Sequence, residues 1–160
     1  MQLHTTKIDI TKNKREKLIG LLNQRLADAS DLKSQAKQAH WNVKGANFIA
    51  LHELFDRVHT ELDVHVDDIA ERITSLGGTA MGTVRLAAQG STLSEYPHEI
   101  TDGTAHVDAL SSAMADFGKK VRKDIDETDE MGDADTADLF TGISRNIDKL
   151  LWFVEAHNQA

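Results

Sequence analysis

Four long stretches of the chain place apolar residues three and four positions apart, the spacing that collects them on one face of an α-helix. The first covers about residues 12–39, with Leu18, Leu22, Leu26, Ala29, Leu32 and Ala36 in step, and residues 42–45 interrupt it. The second covers about 47–76 through Leu51, Phe55, Val58, Leu62, Val66, Ile69 and Ile73. Gly77-Gly78 closes it, as glycine does at a helix C-terminus. The third runs over about 102–129 through Val107, Leu110, Met114, Phe117, Val121 and Ile125. The fourth starts near Asp135 and carries Phe140, Ile143, Ile147, Leu150 and Val154 almost to the end. Between the second and third lies a link, residues 78–101, with room for a short helix near 81–88. A link of that length lets helices two and three run parallel, because it carries the chain from one end of a bundle to the other. The pattern predicts an all-α four-helix bundle with one long crossover, one domain over residues 12–158 after a short tail, 1–11.

Composition narrows the chemistry. A chain of 160 residues supports one domain with a real core. It has no cysteine, which removes disulfides, thiolate metal sites and thiol catalysis together. No stretch approaches the roughly 20 apolar residues of a membrane span. The N-terminus shows no apolar core of a secretory signal, so the cytoplasm is the expected compartment. The net charge of −8 disfavours a dedicated nucleic-acid binder and suits a protein that attracts cations.

The second helix carries the candidate chemistry. With His52 set at zero on its wheel, Asp56 falls at about 40°, Asp67 at about 60° and Glu71 at about 100°. These four share a stripe that borders the apolar one. His52 and Asp56 lie one turn apart and can share an ion, as can Asp67 and Glu71, but roughly 16 Å separates the two pairs. One helix therefore cannot use all four at one centre. Two copies packed antiparallel about a two-fold axis near Glu61–Leu62 would set 52 and 56 of one chain against 71 and 67 of the other, the commonest kind of symmetric contact. His40, on the stripe of Leu32 and Ala36 in the first helix, leans toward the same place. Carboxylates with one or two imidazoles and no thiolate suit Fe(II), Mn(II) or Zn(II), and iron fits best where open positions admit an oxidant. The competing reading is a solvated acidic face. Glu-x-x-His, the spacing of di-iron sites inside one bundle, occurs only at Glu95–His98, across Pro97 in the crossover. His59 and His65 lie near the expected two-fold centre and receive no role.

The block KQAHWNVKGANFIALHELFD, followed by VDDIAER, ITSLGG and the last helix DTADLFTGISRNIDKLLWFVEA, resembles the Dps family (DNA-binding proteins from starved cells, the mini-ferritins). The likeness runs from the first helix to the C-terminus and includes the whole spacing of His40, His52, Asp56, Asp67 and Glu71. It implies a ferritin-like bundle assembled as a hollow homo-dodecamer with ferroxidase centres at two-fold interfaces. His40, His52 and Asp56 would then come from one chain and Asp67 and Glu71 from its partner, with two iron ions per site and Trp41 beside the centre. The reaction implied is oxidation of Fe(II) by hydrogen peroxide, in preference to oxygen, and storage of the ferric mineral, which spares DNA from radicals. Imidazole ligands bind as the neutral ring, so such a site loses iron in acid, below about pH 6. In the acidic run DIDETDEMGDADTAD, Asp129, Asp133 and Asp138 are candidates for an iron-entry pore that focuses cations; otherwise the run is a solvated turn with Asp135 as helix cap.

The alternative function is nucleoid compaction with secondary iron chemistry, which would add nucleoid association to the cytoplasmic location. In this family DNA binding often depends on a mobile Lys-rich tail. Here residues 1–17 mix Lys7, Lys12, Lys14, Arg15 and Lys17 with Asp9 and Glu16, and VEAHNQA at the other end has no lysine or arginine. With each chain at −8, repulsion from phosphate dominates. DNA binding is therefore expected to be weak or absent, and a gel shift at neutral pH and low salt should show no plasmid retained at sub-micromolar protein.

Overall fold

The computed structural model describes residues 3–159, which form five helices in the order α1 Lys12–Asn42, α2 Phe48–Ser75, α3 Val84–Gly90, α4 Gly103–Glu130 and α5 Ala134–Glu155. The four long helices are those the apolar spacing predicts. Phe55, Phe117 and Phe140 are fully buried, among Leu18, Ile19, Leu22, Leu62, Ile69 and Ile147. Val66 and Ile125, expected on the core stripes, pack only partly buried at its edge.

Polar contacts fix the helix directions. Lys33 pairs with Asp63 and Lys37 with Asp56, so α1 and α2 are antiparallel. Arg122 meets Asp148 and Asn158 bonds Thr104, which makes α4 and α5 antiparallel as well. Asn146 meets Glu61 while Arg72 meets Asp133, so α5 is antiparallel to α2, and α2 and α4 are parallel. The long crossover is thus required, and it is sewn to α1. Asn23 accepts from Met81 N at 2.8 Å, Gln24 donates to Gly90 O at 2.7 Å, Asp28 accepts from Thr92 N at 2.6 Å, and Gln35 donates to Ser94 O at 3.0 Å.

Helix ends depart from the expected positions for local reasons. The first helix extends through His40 and Trp41 to Asn42, and Gly45, at φ 108°, turns the chain. The crossover helix begins later than expected, because Thr83 supplies the hydroxyl that caps Leu86 N. Gly77, at φ 86°, adopts the left-handed conformation that lets Gly78 N reach Ile73 O at 2.9 Å and close α2. Asp133, and not Asp135, caps α5; its carboxylate accepts from Thr136 N. Asp135 stands in the first turn, where negative charge complements the helix dipole. From residue 3 the tail folds back on the bundle, with His4 N donating to Gly77 O at 2.8 Å and Leu3 and Ile10 packed against the core.

One buried charge cluster joins α1 to α4. Arg25 contacts both Asp28 and Asp124, and Asp28 and Asp124 are nearly inaccessible. Burial pushes the Asp124 carboxyl up to about 6, against the pull of Arg25. A carboxyl whose folded value is raised contributes most to stability when protonated, so its contribution falls as pH rises through about 6. Burial of His106 as the neutral ring holds its imidazole below the ordinary range and acts in the opposite sense, favouring the fold above about pH 6.5. Comparison with Asp124→Asn isolates the carboxyl. The thermal midpoint of the variant relative to the parent is expected to rise between about pH 5 and pH 7.5; a constant difference contradicts the assignment.

Candidate metal centre

The C-terminal turn of α1 and the first turns of α2 meet in a reciprocal contact. His40 donates Nδ1–H to the carbonyl of His52 at 2.7 Å, and His52 donates Nδ1–H to the carbonyl of His40 at 2.8 Å. A peptide oxygen only accepts, so each Nδ1 bears a proton, and the neutral form of each ring has its free lone pair on Nε2. The rings stack with centroids 3.7 Å apart, and Phe48 packs on His52 from the other side. Fixing one nitrogen of an imidazole through an outer hydrogen bond is how proteins aim the other at a metal.

Asp56 follows one turn after His52 and forms an ion pair with Lys37 of α1. The hydrogen bond from Lys37 holds its carboxyl below the ordinary aspartate range, against the small effect of burial. The Asp56 carboxylate is therefore favoured in its charged form and is occupied by an ammonium. Trp41 stands next to His40 with 66% of its surface exposed.

Asp67 and Glu71 lie further along α2, both exposed. They are not brought to His40, His52 and Asp56. Among the described residues of this one chain, no three His, Asp or Glu side chains are grouped closely enough to hold an ion. The pore candidates divide as well. Asp129 and Asp138 are exposed, but Asp133 is buried, accepts from Arg72 Nη2 at 2.8 and 2.9 Å and caps α5. Burial disfavours its charged form, yet the hydrogen bonds of Thr136 and Arg72 hold its carboxyl below the ordinary range. Within this one chain Asp133 is thus an internal ion-pair partner that ties α5 to α2, whereas Asp129 and Asp138 stand open to solvent. The cause is non-local, since nothing near Asp133 in sequence announces Arg72.

Sequence reasoning did not find the two lysines that occupy the acids or the reciprocal histidine bonds. The partial signal was the step between them: Lys33, Lys37 and His40 recur at three and four residues in α1, as the acids do in α2.

The chain is similar to known proteins along almost its whole length. The model of the ferritin-like domain, Ferritin, matches residues 19–160, which defines the class. Within it, the chain is 48% identical over 159 residues to the DNA protection during starvation protein of Agrobacterium fabrum, covering 99% of this chain and 98% of that one. A second DNA protection during starvation protein, of Brevibacillus brevis, is 35% identical over 141 residues, or 85% of this chain and 91% of that one. Among solved structures, the tetragonal form of Mycobacterium smegmatis Dps superposes with a TM-score of 0.94 at 30% identity, covering 99% of this chain and 96% of that one. DpsA14 from Streptomyces coelicolor superposes with a TM-score of 0.93 at 33% identity, covering 100% and 96%. The chain belongs to the Dps family of ferritin-like proteins.

The reciprocal contact generates a test. In the metal-free protein at alkaline pH, long-range proton–nitrogen NMR should show both His40 and His52 with a protonated Nδ1 and a bare Nε2; a ring with a bare Nδ1 and its proton on Nε2 refutes the arrangement.

Proposed function

We propose that the protein is a ferroxidase and iron store: it oxidises Fe(II) at centres shared between two chains and holds the ferric product inside a hollow dodecamer. The supporting observation is that each chain carries half of a donor set at two places. His40 and His52 offer free Nε2 atoms beside Asp56 at one end of α2. Asp67 and Glu71 stand on the same stripe, roughly 16 Å away. A second copy, antiparallel about Glu61–Leu62, joins one half to the other. The same face exposes Ile49, 62% accessible, and Val64, apolar surface that favours cover by another chain over plain solvation.

Each centre has donors for two iron ions. Two Fe(II) ions give one electron each, and hydrogen peroxide, preferred over oxygen, accepts both and leaves with two protons as two water molecules. A paired withdrawal releases no hydroxyl radical. The carboxylates favour Fe(III) over Fe(II) by charge and so assist electron loss. The hydrogen bonds at Nδ1 keep the imidazoles facing the ions, and Lys37 yields Asp56 when iron arrives. Trp41, beside His40, is placed to intercept stray oxidising equivalents. Asp129 and Asp138 attract Fe(II) toward an entry pore.

The protein would protect DNA through this chemistry in the cytoplasm, not by coating it. The described part of the tail, from residue 3, is folded against the C-terminal end of α2, and the charge is −8 per chain. No helix among the described residues is long and apolar enough to cross a membrane.

Stopped-flow Fe(II) oxidation with peroxide tests the reading. Asp67→Ala should lose roughly tenfold or more in rate while the assembly keeps its size on gel filtration, since even groups that only support a ligand are worth that much. An unchanged rate in an intact assembly refutes the shared centre.

A further inference from the structure

The arrangement at His52 and Asp56 occurs a second time. Seven residues along α2, His59 donates Nδ1–H to the carbonyl of Lys33 at 3.0 Å, and Lys33 lies seven residues before His40 in α1. Its Nε2 lone pair is therefore free by the same reasoning. Asp63, four residues after His59 as Asp56 is four after His52, accepts from Lys33 Nζ at 2.6 Å. On the wheel of α2, His59 and Asp63 fall at about −20° and 20°, alongside His52 and Asp56. His65 is different: its Nε2 is bonded at 2.8 Å to Asn146 of α5, whose amide donates to Glu61.

We propose that His59 and Asp63 form a second divalent-metal site, separate from the ferroxidase centre and completed by the same pair of a second copy of this chain. The proposal rests on the two-fold pairing of α2 described under the proposed function. Setting position 52 level with the partner's 71 also sets position 59 level with the partner's 64, one residue from the partner's Asp63. His59 and Asp63 then stand about 3.8 and 2.3 Å from the two-fold axis, measured along the helix. Side chains of those lengths, converging from both chains, place two imidazole nitrogens and two carboxylates around one point. Such a four-coordinate N2O2 set suits Zn(II), Co(II) or Fe(II). Lys33 fills the place of the cation until a metal displaces it, as Lys37 does at Asp56. One ion would bind for every two chains, at the middle of the interface, without an oxidant-accessible pair of irons.

Cobalt is the probe, because four-coordinate Co(II) absorbs visible light more strongly than the hydrated ion. The assembled, metal-free protein is titrated with Co(II), and bound metal is counted after gel filtration. His59→Gln and Asp63→Asn should each remove one cobalt per two chains together with part of the visible band, while Fe(II) oxidation stays near the parent rate. Lys33→Gln should tighten the same site roughly twofold to fivefold, since an exposed ion pair no longer competes; a merely structural His59 predicts no such gain. Equal cobalt content in the parent, His59→Gln and Asp63→Asn overturns the proposal, as does a Lys33→Gln variant with unchanged affinity. Asp67→Ala separates the two readings. Slow iron oxidation in that variant, with full cobalt content in His59→Gln, rejects the second site alone; parent-rate oxidation in Asp67→Ala rejects the shared centre beneath both.

Discussion

The seam between α1 and α2 governs the functional face. Along it, α1 offers backbone carbonyls and lysine ammonium groups, and α2 offers imidazoles and carboxylates. The carbonyl of His40 lies in the last turn of α1, past the reach of intrahelical donors, and those of His52 and Lys33 accept a histidine of the neighbouring antiparallel helix with their second lone pair. Each such bond fixes which nitrogen of the ring carries its proton. The face of α2 thus presents imidazoles whose orientation is already set, and the ordering cost of the rings is met by the fold.

The same seam explains how so many acids tolerate one another. Asp56 and Asp63 each have a lysine of α1 across the groove, so repulsion along the stripe is relieved without burying charge. Exposed pairs of this kind contribute little to stability and exchange readily for another cation. Arg72 and Asp133 behave otherwise. Their pair lies inside the bundle, has Thr136 as a further partner, and is costly to break because one buried charge would be left alone. Lysine pairs at the surface of the seam are exchangeable, and the arginine pair inside is structural.

Much of the sequence pattern describes packing. Spacing of three and four is a property of the helix itself, so the four long helices, the crossover and the glycine-closed end of α2 were all legible without a structure. The shared stripe of His52, Asp56, Asp67 and Glu71 was legible for the same reason, since an angle on a helical wheel needs no neighbour. The resemblance of the HWNVKGANFIALHELFD block to the Dps family was legible too, and the comparisons bear it out.

Contacts between residues distant in the chain were not legible. Whether Asp133 faces a pore or an arginine depends on how α5 lies against α2, and that is decided by packing of the whole core. The polar residues of α1, from Asn23 to Gln35, look like an exposed face until the crossover is seen lying over them. The likeness of His59 and Asp63 to His52 and Asp56 is present in the letters, but its meaning lies in α1, where Lys33 and Lys37 supply the partners. The sequence by itself determined helices, stripe and family, because those follow from local geometry and from residue identity. Only the tertiary structure decided which acid is paired, which nitrogen is free and which end is capped, because each depends on a group brought near by the fold.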